Sequence, residues 1–302
     1  MDAVKIAVLM TSYNRRETTL SCLEKVYLQE LEDSHIFAVY LVDDNSTDGT
    51  FNSVQAQFPQ VKVIKGNGNL YWCGGMRLAF ATAAEMGYDY YLWLNDDTFL
   101  NRDCLKVLLQ AHEDLSSKGY EKTLIIGSTY DPVTGEFSYG GVKRKRFLPF
   151  KFTNVNPEEK AIQCDTGNGN CVLIPHPVYE IVGNIDAEFT HVWGDFDYGL
   201  RASKMGCTVW SAPGYVGYCS SNPLRKWKDY SLTYSDRLGY LSHPKELYYL
   251  KERKIYMKRH MGALWFLLYL SPLYHLTAYS ITAYFANLFR IRPVKKQPDK
   301  EK

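Results

Sequence analysis

Two pairs of adjacent aspartates follow apolar runs within the first hundred residues. Asp43 and Asp44 directly follow the run IFAVYLV, and Asp96 and Asp97 come one residue after DYYLWL. Adjacent carboxylates repel each other and lose solvation unless a cation or hydrogen-bond donors face them. Carboxylates at a strand end suit Mg²⁺ or Mn²⁺ that also binds substrate phosphates. The competing interpretation is local, because aspartate, asparagine, serine and threonine also form turns and helix caps.

The elements that must position these pairs alternate along the chain. Short apolar runs predict strands, and apolar side chains at helical spacing predict helices between them. We predict strands over 4–10, 36–42, 61–64 and 89–94, and helices over 17–31, 49–58 and 75–86. Such alternation implies a mainly parallel α/β sheet, in which ligands bind at the carboxyl ends of the strands. Both aspartate pairs are therefore expected to face one crevice.

The later part of the chain has a different pattern. Residues 124–175 are richer in strand and loop, a helix is predicted over 177–183, and residues 246–260 are helical and basic. The basic run KRKR at 143–146 predicts a solvated hairpin tip. The alternative for this run is a contact with acceptor phosphates or lipid head groups.

Composition restricts the class of protein. The 302 residues are 46% hydrophobic and 23% charged, which predicts a folded chain with a substantial core. A net charge of +2 does not indicate a nucleic-acid partner. The 24 Tyr, 14 Phe and 6 Trp suit sugar stacking, a membrane interface or simple core packing, and composition does not choose among these.

Cysteine usage and the N-terminus bear on the compartment. None of the seven cysteines lies in a CxxC pair and their number is odd, which argues against a zinc site or a disulfide framework. The apolar run from Ile6 to Met10 is too short for a secretory signal and predicts a buried first strand. We therefore expect a cytoplasmic protein.

Several ordered motifs together resemble the family 2 glycosyltransferases, which have the GT-A fold. They are TSYNR at 11–15, VDDNSTDGT at 42–50, LNDDT at 94–98, TGNGNCVLIP at 166–175, GNIDAEF at 183–189 and WGDFDYGLRASKMGCTVWSAP at 193–213. The chain is similar to bacterial rhamnosyl- and galactosyltransferase-like enzymes of surface polysaccharide synthesis. The resemblance implies a nucleotide-diphospho-sugar transferase fold with a mainly parallel sheet flanked by helices. It also implies transfer with inversion at the anomeric carbon, supported by Mg²⁺ or Mn²⁺.

The resemblance covers about residues 4–256 and implies a domain organisation. A GT-A catalytic domain at 1–256 would consist of a nucleotide-binding half, 1–100, and an acceptor half, 101–256. Residues 257–302 would then form a C-terminal amphipathic helical segment for membrane association or oligomerisation.

The resemblance also implies roles on the nucleotide side. Thr11 and Tyr13 would line the nucleoside pocket, with Tyr13 near the base. Asp44 would accept from the N3–H of uracil or thymine, and Asp43 would support the loop. Asp96 would lie near the ribose or the phosphates.

Further residues would act on the diphosphate, the sugar and the acceptor. Asp97 would ligate the metal, and Arg77, after a turn at Gly74 and Gly75, would pair with the diphosphate. Trp72 and Asn168 would lie on the donor-sugar and acceptor side, with Trp72 as a wall of the sugar site. Asp195 would be the general base that takes the proton of the acceptor hydroxyl.

Two positions depart from the family pattern. Gly194 stands where the family usually has a glutamate before the base, so part of the acceptor-side network is missing or replaced. Many relatives carry a histidine soon after the position of Pro213, and here the stretch GYVGYC contains none. Either Tyr218 substitutes as a phosphate contact, or the metal is held more loosely.

The C-terminal segment has an apolar, aromatic character over 261–290. Pro272 predicts a break between two helices, each too short to cross a membrane. Basic residues flank the segment, which suits helices lying at the cytoplasmic face of the cell membrane. These are Arg253, Lys254, Lys258, Arg259, Arg290, Arg292, Lys295 and Lys296. The alternatives are packing on the catalytic domain, a homodimer contact, or a helical hairpin inserted in the bilayer.

The expected reaction moves a sugar from a UDP- or dTDP-sugar to a hydroxyl of a lipid-linked or oligosaccharide acceptor. Two other functions stay open from the residues alone. A nucleotidyltransferase also uses an α/β nucleotide fold with acid-bound Mg²⁺, but TSYNRRE is not the glycine-rich basic loop such enzymes usually carry after the first strand. A non-catalytic carbohydrate-binding protein on the same fold is disfavoured by the presence of both Asp97 and Asp195.

Overall fold

The computed structural model describes residues 3–32, 34–145, 148–221, 234–245 and 249–288. The chain divides into two compact units, 1–222 and 223–302, and each is described by itself. The domain boundary at residue 256, implied by the resemblance, stays a prediction.

The first part of the larger unit alternates strand and helix as predicted. The elements are β1 (Val4–Ser12), α1 (Arg16–Tyr27), β2 (His35–Asp43), α2 (Thr50–Gln57), β3 (Lys62–Lys65), α3 (Tyr71–Ala84) and β4 (Tyr90–Leu94). Strand β1 pairs in parallel with β2 on one side and β4 on the other, and β2 pairs in parallel with β3. The prediction of a mainly parallel α/β arrangement in this half is confirmed, because every pairing among these four strands is parallel.

The second part of this unit is richer in strands, as predicted. It contains β5 (Phe99–Leu100), α4 (Cys104–Ser116), β6 (Thr123–Tyr130), β7 (Phe137–Tyr139), β8 (Gly141–Lys145), β9 (Leu148–Asn154), β10 (Ile162–Cys164), β11 (Thr166–Gly167), β12 (Cys171–Pro175), α5 (His176–Val182), α6 (Gly194–Lys204) and β13 (Thr208–Tyr218). The central sheet has the order β10-β13-β6-β12-β4-β1-β2-β3. Strand β12 runs antiparallel between β4 and β6, and so joins the two halves into one sheet.

The two faces of the sheet carry different cores. On one face, Leu92 and Leu94 belong to an aliphatic cluster with helices α1 and α4. On the other face, Trp93 packs edge-on to Tyr198 at 4.8 Å between ring centroids, and Phe80 packs on Tyr179 at 4.7 Å. Successive side chains of a strand point to opposite faces, so β4 contributes to both cores. For these aromatic residues, core packing is the confirmed interpretation.

The predicted turn at Gly74 and Gly75 is wrong, because both glycines lie inside α3. A Cβ on Gly75 would overlap the hydroxyl of Thr11 on β1, and a Cβ on Gly74 would lie 3.2 Å from Leu70. Gly75 therefore allows α3 to approach the end of β1 closely. Glycine inside a helix usually costs stability, and close packing is the physical reason for it here.

The basic run lies on a hairpin, as predicted. Strand β8 pairs antiparallel with β9, and Arg144 packs its guanidinium over the ring of Phe152 at 5.7 Å. Lys143 and Lys145 are exposed. Arg146, the last member of the run, lies outside the described residues.

The smaller unit consists of helices. They are α7 (Tyr234–Ser242), α8 (Leu250–His260), a short 3-10 helix (Gly262–Leu264) and α9 (Trp265–Leu288). The predicted helix break is wrong, because α9 continues through Pro272. Proline lacks the N–H that would bind the carbonyl of Leu268. That carbonyl instead accepts from Arg253 Nη2 at 2.7 Å and from Ser271 Oγ at 2.8 Å, so the hydrogen bond is replaced and the helix continues.

Within the described ranges, no helix is both long enough and apolar enough to span a bilayer. The predicted cations Arg290, Arg292, Lys295 and Lys296 lie outside the described residues.

All seven cysteines are free and buried in the structure. Burial raises the pKa of the Cys164 thiol to about 12 and raises that of the Cys22 thiol well above its usual range. Buried protonated thiols behave as small apolar side chains in the core.

Candidate functional site

The loops that follow β1 and β2 are joined at one edge of the sheet. Ser12, which ends β1, is the register partner of Asp43, which ends β2. Beyond these ends, Asn14 donates its backbone N–H to Ser46 Oγ at 2.8 Å and accepts from the Thr47 N–H at 2.7 Å. The loops after β1 and β2 therefore meet at one place, and the expectation that both aspartate pairs face one crevice stays a prediction.

Asp44 organises the loop that leads into α3. Its carboxylate accepts backbone N–H groups from Gly68 at 2.8 Å, Leu70 at 2.9 Å and Tyr71 at 3.1 Å. Leu70 and Tyr71 stand at the beginning of α3, where N–H groups lack partners within the helix and the helix dipole favours negative charge. Asp44 therefore caps α3 from a neighbouring loop. Its role toward a pyrimidine base stays a prediction.

Asp43 lies beneath this loop and is 2% exposed. Burial raises the pKa of its carboxyl, while hydrogen bonds from Ser46 lower it. One of its oxygens, Oδ1, has no hydrogen-bond partner among the residues that the structure describes. Asp43 therefore lies buried at the strand end, and the supporting role expected for it stays a prediction.

Asp96 and Asp97 follow β4 and share one partner, Arg15, from the loop after β1. Arg15 Nη1 lies 2.7 Å from Asp96 Oδ1, and Arg15 Nη2 lies 2.9 Å from Asp97 Oδ2. Burial raises the pKa of Asp96 to about 6, and the Arg15 charge opposes this rise. Sequence reasoning assigned no role to Arg15, although its place in the TSYNR motif was a signal.

The other oxygen of Asp97 faces Cys219, to which the sequence analysis gave no role, and Cys219 in turn contacts Asn170. Cys219 Sγ lies 3.7 Å from Asp97 Oδ1, and the buried Asn170 amide lies 3.5 Å from the same sulfur. Burial raises the pKa of the Cys219 thiol to about 12, with the Asp97 charge contributing, so this group is a neutral donor. Tyr218 instead stacks on Phe99 at 5.2 Å. Of Tyr218 and Cys219, it is therefore Cys219 that contacts Asp97, the predicted metal ligand.

Trp72 forms a wall between the aspartate pair and α6. Its indole N–H donates to Asn95 Oδ1 at 2.6 Å, and its ring packs edge-on to Trp93 at 5.8 Å. The outer edge of the ring lies against the backbone of Gly169, where an added Cβ would be 2.5 Å from the ring. Trp72 is thereby held by Asn95, which precedes Asp96, and by Gly169, which follows Asn168.

Asp195 stands in the first turn of α6 and is held by backbone groups. Its Oδ2 accepts the Gly169 N–H at 3.0 Å, and its Oδ1 accepts the Phe196 N–H at 2.8 Å. Burial raises the pKa of Asp195, and these hydrogen bonds oppose the rise. Two N–H donors leave further lone pairs on both oxygens, so the carboxylate retains the capacity to accept a proton.

Gly194, the departure from the family pattern, is explained by packing. It is buried, and an added Cβ would lie 2.5 Å from the sulfur of Cys73 in α3. A glutamate would therefore require α6 to move away from α3. The helix is fixed elsewhere by Arg201, which binds Asp197 at 2.8 Å and the carbonyl of Val182 at 2.7 Å.

The remaining predicted residues have separate positions. Arg77 donates to the carbonyls of Asp186 and Phe189, each at 3.3 Å, so it fixes the segment before α6. Thr11 packs against Gly75 of α3, and Tyr13 is 47% exposed beyond the end of β1. Asn168 Oδ1 accepts the Gly140 N–H at 3.4 Å. The roles implied for these four residues stay predictions.

Backbone strain is concentrated around the same edge. Among the residues that the structure describes, four non-glycine residues have positive φ, namely Asn14, Asn45, Tyr71 and Trp193. Two of them, Tyr71 at 53° and Trp193 at 66°, are bulky residues at the beginnings of α3 and α6. Such conformations cost free energy, of order 1–3 kcal/mol each, and cluster at functional sites. Their positions give independent support to this edge as the site.

The aspartate pair fits a single hard cation. Over the described ranges, no group of three His, Cys, Asp or Glu residues is placed to hold a metal by itself. The Arg15 guanidinium, in contact with both carboxylates, shows that the position accepts positive charge. Magnesium-type ions are commonly bound by one or two carboxylates, with substrate phosphates and water completing the shell. Asp97, partly exposed, is the residue of the pair best placed for this.

Comparison with known proteins agrees with the fold. A family model described as glycosyl transferase family 2 matches residues 7–173, which include the loops after β1, β2 and β4. No curated protein sequence matches the chain.

Solved structures match over nearly the whole chain. A mannosyltransferase from Pyrobaculum calidifontis, PcManGT in complex with GDP-Man and Mn²⁺, has a TM-score of 0.56 and 14% identity, with 95% of this chain and 76% of that chain covered. TarS 1–349 from S. aureus in complex with UDP has a TM-score of 0.52 and 12% identity, with 84% and 70% covered. TarS 1–349 alone has a TM-score of 0.53 and 14% identity, with 99% and 95% covered. At these identities the likeness shows the fold alone, and the predicted GT-A fold is confirmed.

Proposed function

The chain belongs to glycosyl transferase family 2, and from that premise we propose that it moves a hexosyl or deoxyhexosyl group from a UDP- or dTDP-sugar to an acceptor hydroxyl with inversion. It is a glycosyltransferase with a nucleotide-sugar donor. The acceptor that we propose is a lipid-linked or growing glycan of cell-surface polysaccharide synthesis.

The proposal rests mainly on a continuous series of contacts that runs from the aspartate pair to Asp195. Asn95, which precedes the pair, binds the Trp72 indole at 2.6 Å. The Trp72 ring lies against Gly169, and the Gly169 N–H binds Asp195 at 3.0 Å. A donor whose diphosphate lies at Asp97 would therefore extend its sugar along Trp72 toward Asp195.

On the donor side, Tyr13 and Thr11 line the nucleoside pocket and Asp44 accepts the N3–H of the pyrimidine. Asp97, with Asp96 behind it, would hold a divalent cation at the diphosphate, where the cation would supply charge neutralisation for the departing nucleoside diphosphate. The structural neighbours bind GDP-Man with Mn²⁺ in one case and UDP in the other, so the choice of base rests on Asp44.

On the acceptor side, Asp195 takes the proton of the attacking hydroxyl. Its raised pKa makes it a stronger base than an ordinary aspartate, and its backbone hydrogen bonds orient it. A general base of this kind typically contributes about 10²–10⁴-fold to the rate. Attack from the face opposite the leaving group inverts the anomeric carbon, and no covalent nucleophile is needed.

We also infer that the C-terminal segment attaches the enzyme to an anionic lipid surface at the cytoplasmic face of the cell membrane. Six large apolar side chains of α9 are more than a third exposed and recur at intervals of three, seven and eight residues, which places them on one helix face. They are Phe266, Leu267, Leu273, Tyr274, Ile281 and Tyr284.

Basic side chains of the neighbouring helix support a lipid occupant rather than a second subunit. Lys251, Lys254 and Lys258 are exposed on α8. Arg253, counted among the flanking cations from sequence, is only 6% exposed and binds the carbonyl of Leu268, so it is not available to lipid.

A panel of nucleotide-sugars with Mn²⁺, followed for donor hydrolysis and for transfer to a glycan acceptor, tests the reaction. We expect release of UDP or dTDP from one member of the panel and an inverted product linkage. Release of pyrophosphate from a nucleoside triphosphate would instead indicate a nucleotidyltransferase. Sugar binding without turnover of any donor would indicate a carbohydrate-binding protein.

A further inference from the structure

Arg15 occupies the position at which a cation would approach the aspartate pair. Its two terminal nitrogens bind one oxygen of Asp96 and one oxygen of Asp97, at 2.7 and 2.9 Å. The second Asp97 oxygen faces the Cys219 thiol at 3.7 Å. In this structure, therefore, each oxygen of Asp97 has a partner.

A divalent ion at Asp97 and the guanidinium of Arg15 in its present place repel each other. Both carry positive charge and approach the same carboxylate, so binding of the ion is weakened unless Arg15 withdraws. Asp96 is 6% exposed and would lose its counterion at the same time. Free metal ion alone therefore gains little from binding.

The Arg15 side chain is able to move without a change in the fold. It is 47% exposed, whereas its backbone is fixed because its carbonyl accepts the Thr19 N–H in the first turn of α1. A released guanidinium has a planar fork of donors that matches phosphate oxygens. The diphosphate of a donor bound beside Asp97 supplies such oxygens.

We propose that Arg15 is an internal counterion that competes with the divalent ion at Asp97 and that transfers to the donor diphosphate when metal and nucleotide bind together. This rests on the proposed function and specifies the order of events at its metal site. Arg15 thereby makes the binding of metal and nucleotide cooperative. The diphosphate accepts the guanidinium that the metal displaces, and the metal releases the guanidinium that the diphosphate binds. Such coupling is reciprocal between the two ligands.

Calorimetric titration of Mn²⁺, with and without saturating UDP, tests the proposal without any turnover. For the unaltered chain we expect weak Mn²⁺ binding alone and an increase in affinity with UDP, within the range of about 5–150-fold that is usual for coupled sites. For Arg15→Gln we expect tighter Mn²⁺ binding without UDP and a coupling factor close to one. Arg15→Lys keeps the charge but loses the fork, and we expect it to lie between the two.

Arg16→Gln is the matched control, because Arg16 contacts Glu17 and the carbonyl of Asp48 rather than the aspartate pair. It should behave as the unaltered chain does. Equal Mn²⁺ affinity for the unaltered chain and Arg15→Gln, with UDP increasing both equally, overturns the role of Arg15 and leaves the proposed function intact. Failure of every variant to bind Mn²⁺ in the presence of UDP overturns the metal site itself, and this inference with it.

Discussion

The backbone N–H of Gly169 donates to the carboxylate of Asp195 at 3.0 Å. Gly169 also carries no side chain at the point where the Trp72 ring lies against it. One residue therefore orients the proposed base and determines the position of the proposed sugar wall. This relationship makes Gly169 a sensitive position for the whole acceptor side.

Gly169→Ala is expected to reduce transfer strongly while UDP binding stays near normal. The new Cβ would lie 2.5 Å from Trp72 and 3.2 Å from the Asp195 Cβ, so ring and base must separate. Misplacement by about 1 Å can cost roughly 10²-fold in rate. Gly239→Ala is the control, because a Cβ there meets nothing within 4 Å. Unchanged turnover in Gly169→Ala would remove Trp72 and Asp195 from a common site.

Asp195→Asn is expected to lower turnover by about 10²–10⁴-fold, the usual effect of losing a general base. A base must be deprotonated to act, and burial raises the pKa of Asp195. As the pH is lowered, turnover of the unaltered enzyme should therefore begin to fall at a pH above the ordinary aspartate pKa of about 3.9. The residual activity of the variant should lack this acidic limb. Glu188→Gln, on the exposed segment before α6, serves as the control. A variant that loses nucleotide affinity instead would place Asp195 on the donor side.

Asp97→Asn is expected to abolish metal-supported transfer while the melting temperature changes little. The amide weakens the grip on the cation, and the side chain is 30% exposed, so the fold tolerates the change. The measurements are turnover against Mn²⁺ concentration and thermal unfolding. Asp114→Asn, on the exposed side of α4, is the comparison. Full activity in EDTA, together with an active Asp97→Asn variant, would contradict metal dependence.

Asp44→Ala is expected to weaken UDP or dTDP binding by about tenfold or more. It removes an acceptor of three backbone N–H groups and so loosens the beginning of α3, in addition to the proposed base contact. Hydrogen bonds to charged groups are worth about 1.5–3 kcal/mol each. Calorimetry of UDP, dTDP and GDP measures the effect, with Asp103→Ala at an exposed position as the control. Tighter binding of GDP than of UDP by the unaltered chain would refute a pyrimidine site.

Leu267→Glu combined with Tyr274→Glu is expected to release the protein from anionic liposomes in flotation while donor hydrolysis is spared. The two side chains are 66% and 72% exposed on the same face of α9. Binding of the unaltered chain should weaken with salt, since each basic side chain contributes about 1 kcal/mol near an anionic surface. Val133→Glu, at a fully exposed loop position of the larger unit, is the control. The contrary outcome is a full-length chain that does not bind such liposomes at low salt but forms a dimer, with the dimer lost on truncation near residue 260. That result would identify the segment as an oligomer interface.

Much of the nucleotide side was predictable because periodicity indicates strands and parallel strands align their carboxyl ends. The pairing of Ser12 with Asp43 follows from that rule alone. The bridge from Arg15 to Asp96 and Asp97 was not predictable in this way. It joins loops about eighty residues apart, and a side chain that contacts another loop leaves no periodic signal in the sequence.

The errors have the same origin. Pro272 was expected to end a helix because local chemistry removes one hydrogen bond, and Arg253 from another helix replaces it. Gly74 and Gly75 were expected to form a turn, and they lie instead inside α3, where Gly75 permits the helix to approach Thr11. In each case a tertiary contact overrode the local preference that the sequence indicates.

The burial of all seven cysteines has a practical consequence. Alkylating reagents need an accessible thiolate, so the native protein should react as though it had no cysteine at all. A single cysteine introduced at the surface could then carry a fluorophore or a spin label without prior removal of the natural ones. Cys219, beside Asp97, should become accessible only when the site opens locally, so its slow rate of alkylation measures how often that opening occurs. Bound nucleotide should lower this rate.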